Sequence, residues 1–146
     1  MKIQEVMTKG AVSCTVENTA REALTLMWKH DVGALPVMDG ERVVGMITDR
    51  DLAMAASMRN ARPSELSVGD VTTRQLWSVG PADPVDRAEK IMEERQVRRV
   101  PVVTGGRLEG MVTLADLARA RSTMPAEKVV QTLAAITEPR VPAAAG

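Results

Sequence analysis

The sequence predicts an α+β protein made of two βαββα repeats and a closing helix. Three observations carry this. The phrase Gly45–Asp51, GMITDRD, returns about 65 residues later as Gly110–Asp116, GMVTLAD. Within each copy, short apolar runs alternate with stretches whose apolar residues recur at helical spacing. Beyond the second copy lies a separate apolar stripe, Val129, Val130, Leu133 and Ile136.

The repeat is extensive. With the chain shifted against itself, Val6 meets Val71, Ala23 meets Ala88, Met27 meets Met92 and Val32 meets Val97. Pro36-Val37 meets Pro101-Val102, and Gly40, Arg42, Gly45, Met46, Thr48, Asp51, Leu52 and Ala53 meet identical residues. Roughly a third of the overlap is identical without a gap, which marks a duplicated unit. The expected divisions are 1–62 for the first repeat, 63–121 for the second, and 122–146 for a helix and tail.

Each copy opens with a short strand, near Val12–Cys14 and near Leu76–Val79. A helix follows, with Asn18 and Asp83 as expected N-caps and Pro84 suited to the first helical position. Ala20, Ala23, Leu24 and Met27 share one face of the first helix. ALPVM and VVGMI flank the turn-forming DGE, which predicts a hairpin, and VPVV, TGG and RLEGMV repeat it. The apolar continuity of these strands predicts cover on both faces. A second helix starts after Thr48 and after Thr113. Arg59–Ser67, with Pro63, reads as the connector. One copy alone has too little core, so the halves are expected to pack together with approximate two-fold symmetry. Pro125 can open the last helix, capped near Ser122 or Thr123, and Pro139 lies past its end. The final VPAAAG reads as a frayed tail.

Composition narrows the function classes. Apolar residues make up 45% and charged residues 26%, as in ordinary globules. Phe and Tyr are absent, so aliphatics and 10 Met must fill the core beside Trp28 and Trp77. Acids and bases balance at 19 each, which predicts no broad surface for nucleic acid or membrane lipid. No apolar run reaches the roughly 18 residues of a membrane span, and the first ten residues lack a signal core, so a cytoplasmic protein is expected. Cys14 is the only cysteine. On a short strand it reads as a small buried hydrophobe rather than a nucleophile. His30, the only histidine, falls at a helix end and has no evident metal or catalytic partners. Asp49 and Asp51 beside Arg50 would hold Mg²⁺ only with bound phosphates as further ligands. No Walker loop, nucleophile elbow or zincin motif is present. A non-enzyme is expected.

The repeated Thr-x-x-Asp admits two readings. It fits a capping box, in which hydroxyl and acid satisfy backbone N–H groups reciprocally. It also fits a nucleotide grip. A helix start favours phosphate, a hydroxyl can bond phosphate or sugar, and a carboxylate has acceptors for two ribose hydroxyls. Gly45 and Gly110, three residues before each Thr, permit close backbone approach.

Doubled in register, the pattern h-x-h-Pro-Val…Gly-Met-[Ile/Val]-Thr-x-x-Asp resembles a tandem pair of cystathionine-β-synthase (CBS) domains, a Bateman module, over residues 1 to about 121. The resemblance implies three-stranded sheets with two helices per repeat, halves packed through their sheets, two clefts and homodimers. It implies an adenosine ligand: AMP, ADP, ATP, S-adenosylmethionine or an NAD-like molecule, with no required cofactor. Carried onto this chain, Asp51 and Asp116 would hold ribose, and Thr48 and Thr113 would contact phosphate or ribose. Val32, Gly33 and Ala34 would border adenine. Met46 and Val12 would form apolar walls, with Met111 at the place of Met46 in the second copy, and Thr8 would add a polar contact near the first strand. Arg50 stands at the first helix start, whereas the second copy offers Arg98 and Arg99 before its Pro-Val strand. The two clefts are therefore expected to differ, with phosphate charge met by different elements. Trp77, at the place of Val12, would stack on adenine, fill the second cleft, or simply pack in the core. The expected role is ligand-dependent regulation of a dimer or of an effector protein. The alternative is an interaction protein with empty clefts.

Overall fold

The computed structural model describes residues 1–120 and 125–140. Its residues fall into two compact units, one formed by 10–77 with 103–109 and the other by 1–9, 78–102 and 110 onward. The expected cap near Ser122 or Thr123 and the VPAAAG tail lie outside the described residues.

The first unit holds β2 (Cys14–Thr15), α1 (Ala20–His30), β3 (Ala34–Asp39), β4 (Arg42–Thr48), α2 (Asp49–Arg59) and the one-turn α3 (Val68–Val71). Its sheet runs β2-β3-β4, with β2 parallel to β3 and β3 antiparallel to β4. This is the predicted βαββα order. The hairpin turns on Gly40-Glu41, where Gly40 takes φ +60°, a value an L side chain rarely adopts. Helix α1 is capped by Thr19, whose hydroxyl accepts from Glu22 N, one residue later than the expected Asn18. Asn18 instead receives Thr15 N and ties the helix to β2. Cys14, Ala20, Ala23, Met27, Leu35, Val37, Ile47, Leu52, Leu66 and Val68 form the core. The connector contributes directly, since Leu66 is buried and Leu66 O accepts from Ala20 N at 2.8 Å.

The second repeat keeps the order with α4 (Val85–Arg95), β5 (Arg99–Thr104), β6 (Arg107–Thr113) and α5 (Leu114–Arg119), although its hairpin tip, 103–109, falls in the first unit. Its opening strand shrinks to one parallel bridge, Val79 to Val102. Pro84 is the N-cap of α4 rather than its first helical residue. Asp83 accepts from Gly80 N at 2.7 Å, so it closes the preceding turn instead of capping the helix. Helices α1 and α4 end alike, on Asp31 and Gln96 with φ 52°.

Two segments depart from simple succession. The N-terminal residues pack with the second repeat: Ile3 is buried in that core, and β1 (Thr8–Lys9) pairs antiparallel with β6. The compact units therefore do not follow the 1–62 and 63–121 divisions. The last helix, α6 (Ala126–Ile136), lies on α4. Its buried face is Val129, Thr132 and Ile136, while Val130 and Leu133 are exposed by 65% and 44%. The predicted stripe is thus only half used, because Thr132 displaces Leu133 from the packed face.

Gly110 shows why that position carries no side chain. A Cβ there would run into the Thr8 carbonyl oxygen of β1. At Gly45 the nearest atom is the Thr72 hydroxyl at 3.1 Å. Gly110→Ala is expected to cost roughly 1–3 kcal/mol by forcing a backbone apart. Gly45→Ala should cost less, because a side-chain oxygen can shift. Urea denaturation of the two variants compares them, and equal losses would remove this account.

Candidate functional site

Each repeat builds the same crook. In the first, β4 ends at Thr48 and α2 begins at once. Asp49 N donates to Gly33 O at 3.0 Å, which ties the start of α2 to the residue before β3. Ala34 lies opposite Thr48 in the ladder. Val32, Gly33, Ala34, Thr48, Arg50 and Asp51 are therefore gathered at one corner of the sheet. In the second, Leu114 N donates to Arg98 O at 2.9 Å, the same bond at equivalent positions.

Both Thr-x-x-Asp sequences are closed capping boxes. Asp51 N donates to Thr48 Oγ1 at 3.0 Å, and Thr48 N donates to Asp51 Oδ2 at 3.0 Å. The second copy matches, with Asp116 N to Thr113 Oγ1 at 3.1 Å and Thr113 N to Asp116 Oδ2 at 2.8 Å. The Thr113 hydroxyl also donates to Asp116 Oδ2 at 2.8 Å. Each box uses one carboxylate oxygen. Among the described residues, Asp51 Oδ1 accepts no bond, and Asp51 is exposed. Asp116 Oδ1 is engaged by Arg119 at 3.3 Å, and its side chain is only 11% exposed. The first box thus presents an open acceptor to solvent, whereas the second has its own cation.

The remaining candidates separate by unit. Met46 is half-buried opposite Pro36, and Val12 packs against the first core. Arg50 is exposed, and its N–H donates to Asp49 Oδ1 at 2.8 Å. Thr8 pairs with Met111 and so stands with the second repeat's strands. Trp77 falls in the first repeat's unit and is 37% exposed, so it is not core filler. Arg98, Arg99 and Thr113 line a cavity of about 490 Å³ with Leu114, Ala115 and Ala118. Its far wall is Val129, Val130 and Leu133 of α6. The duplication could not reveal that wall, because α6 has no counterpart in the first copy.

Cys14 behaves as a buried hydrophobe. Its thiol points to Pro36 O at 3.7 Å, and burial pushes its pKa up to about 11. His30 ends α1 as expected. No group of three or more His, Cys, Asp and Glu among the described residues is placed to hold a metal ion. No described helix is long and apolar enough to cross a membrane.

A family model described as "CBS domain" matches residues 3–57 and 68–134. Hypoxic response protein 1 of Mycobacterium tuberculosis is 34% identical over 137 residues, covering 93% of this chain and 94% of the relative. Its crystal structure with two coordinated zinc ions matches with a TM-score of 0.75, covering 82% of this chain and 98% of that one. The CBS domain pair of protein MJ0100, solved with 5′-methylthioadenosine and S-adenosylmethionine, is 26% identical. Its TM-score is 0.73, with 84% of this chain and 97% of that one covered. CBSX2 solved with AMP is 25% identical with a TM-score of 0.72, covering 84% and 97%.

The boxes give a direct test of local energetics. Thr48→Ala and Thr113→Ala are each expected to lose about 1 kcal/mol of stability, read by chemical denaturation. Adding Asp51→Ala to Thr48→Ala should cost little more, since the two bonds are reciprocal. Strict additivity would show that the residues act separately.

Proposed function

The chain belongs to the CBS domain family, and from that premise we propose that it is a regulatory module binding an adenosine-containing ligand. The observation that carries the reading is the crook made twice. A strand start, a Thr hydroxyl and a carboxylate are fixed at one corner by the same backbone bond in each repeat. Relatives with this pair are solved with AMP, S-adenosylmethionine and 5′-methylthioadenosine, which supports the ligand class.

In the first repeat, Asp51 accepts a ribose hydroxyl on Oδ1 while Oδ2 keeps the box closed. Thr48 completes the sugar contact. The backbone of Val32, Gly33 and Ala34 borders the base, and Arg50 at the start of α2 meets phosphate. In the second repeat, Arg98 and Arg99 supply the charge, and a guanidinium binds phosphate with a forked pair of N–H groups. Here Asp116 must share its free oxygen with Arg119, so this repeat favours phosphate over ribose. Mg²⁺ enters only as a companion of bound phosphates. A homodimer or an effector protein receives the signal. The ligand shifts their arrangement only through unequal affinity for the two states. No residue is assigned a catalytic role.

The zinc of the hypoxic response relative does not carry over. Cys14 is a thiol held protonated by burial, and His30 is the only imidazole.

One observation favours a second reading. Each carboxylate already closes its own capping box through Oδ2, so the boxes stand without a ligand. On that reading the chain is an interaction protein with empty clefts.

Calorimetry with AMP, ATP, NAD and S-adenosylmethionine distinguishes the two. Saturable binding is expected with at least one of them, and Asp51→Ala should weaken the first site by at least about tenfold, near 1.4 kcal/mol. Arg99→Gln should weaken ATP more than adenosine. Heats indistinguishable from dilution with all four would select the interaction protein.

A further inference from the structure

Helix α4 carries an acid where its counterpart α1 carries an aliphatic. Shifted by the repeat, Glu89 stands in register with Leu24. Glu89 is fully buried, and among the described residues neither of its carboxylate oxygens has a hydrogen-bond partner. It lies on the helix that α6 covers, and Thr132 of α6 is fully buried too. The next acid along α4 is treated in the opposite way. Glu93 Oε1 accepts from the Thr132 hydroxyl at 2.8 Å and from Lys128 Nζ at 3.2 Å, both on α6. Gln96 donates to Glu138 O at 2.8 Å, and Arg140 Nη2 donates to Gln96 O at 3.0 Å. The cover is therefore pinned along one edge and set over an unsatisfied acid.

We propose that α6 is a proton-dependent latch, docked over the neutral form of Glu89 and loosened when that carboxyl ionises. An ionised carboxylate with no donor is among the costliest groups to enclose. The charged groups acting on it are few. Lys128 of α6 favours its ionisation, but its ammonium is committed to Glu93. Asp86 and Glu93 on its own helix oppose ionisation. Burial is the largest influence and raises Glu89 from its ordinary value of 4.5.

The direction follows from linkage. Below the ordinary value the acid is neutral in both states and docking is unpenalised. As pH rises past it, released Glu89 ionises while docked Glu89 keeps its proton, so docking weakens until the raised value is passed. Glu93 works the other way. The Thr132 hydroxyl and Lys128 lower its pKa, so its support is present above 4.5 and is lost as pH falls through the lowered value. Docking is firmest near the ordinary carboxyl range and loosens on the alkaline side through Glu89. Release removes the Val129, Val130 and Leu133 wall from the Arg98–Arg99 cavity, which becomes an open surface.

Hydrogen exchange of the α6 amides in the full chain, corrected for intrinsic pH dependence, tests this. Protection should fall by up to about tenfold per pH unit above the ordinary carboxyl value, then level. Glu89→Gln and Glu89→Leu should hold it flat over the same range. Flat protection in the unmodified chain, or an equal fall in all three proteins, overturns the latch. A readout without substitution is the ¹³C carboxyl shift of Glu89, expected to titrate above the exposed glutamates. Titration together with them overturns it equally.

Discussion

The structure depends on one backbone hydrogen bond made twice, from the first residue of a helix to the residue before a strand. Asp49 N to Gly33 O and Leu114 N to Arg98 O each fasten a helix start across the hairpin. Without it the helix would be joined to its sheet only by the chain leaving β4 or β6 and by the packing of Leu52 or Leu117. With it, the direction of the helix and the position of Thr and Asp are set by the ladder. The capping box then works on a fixed frame and satisfies N–H groups that would otherwise point at solvent. The capping and nucleotide readings of the motif therefore do not compete. A box uses one oxygen of each carboxylate, and the ligand question concerns the other.

That second oxygen is where the copies part. Asp51 Oδ1 stands in solvent, and Asp116 Oδ1 meets Arg119. Arg50 sits on a helix start, whereas Arg98 and Arg99 sit at a strand start. The frame is duplicated but its electrostatics are not. The corner is led by an open acid in one repeat and by cations in the other. The inequality needs no change of fold, only a different dressing of two helix starts.

Most of the frame was legible because duplication doubles the signal. The βαββα order, the hairpins and the Thr-x-x-Asp helix starts each appear twice, so a weak local preference is read against its own copy. The caps missed by one residue because Asn18 and Asp83 are equally good turn formers, and the turns claimed them. The N-terminal strand was not legible at all. Its partner β6 lies about a hundred residues away, and Thr8–Lys9 carries no alternation to betray it. The sequence leaves Trp77 open between adenine stacking, cleft filling and core packing, and its exposure follows from tertiary placement that no local pattern encodes. The face of α6 was misjudged because hydrophobicity favours Leu133, while Glu93 on α4 favours a hydroxyl and so turns Thr132 inward.

Thr132 also explains how an unpaired acid can persist beneath α6. A leucine at 89, as at 24, would bury without penalty and bind the helix by packing alone. The acid instead subtracts from docking whenever it is charged, and Glu93 with Thr132 and Lys128 supplies the compensating contact one turn away. Beside the packing of Val129 and Ile136, the carboxyl part of the attachment is a difference between a favourable and an unfavourable group on the same helix. Small differences of this kind place a segment among the first to open. An added helix that closes one repeat, and leaves the other with Trp28 bare on the corresponding helix, thus makes two copies of one frame unequal, with a removable cover on only one of them.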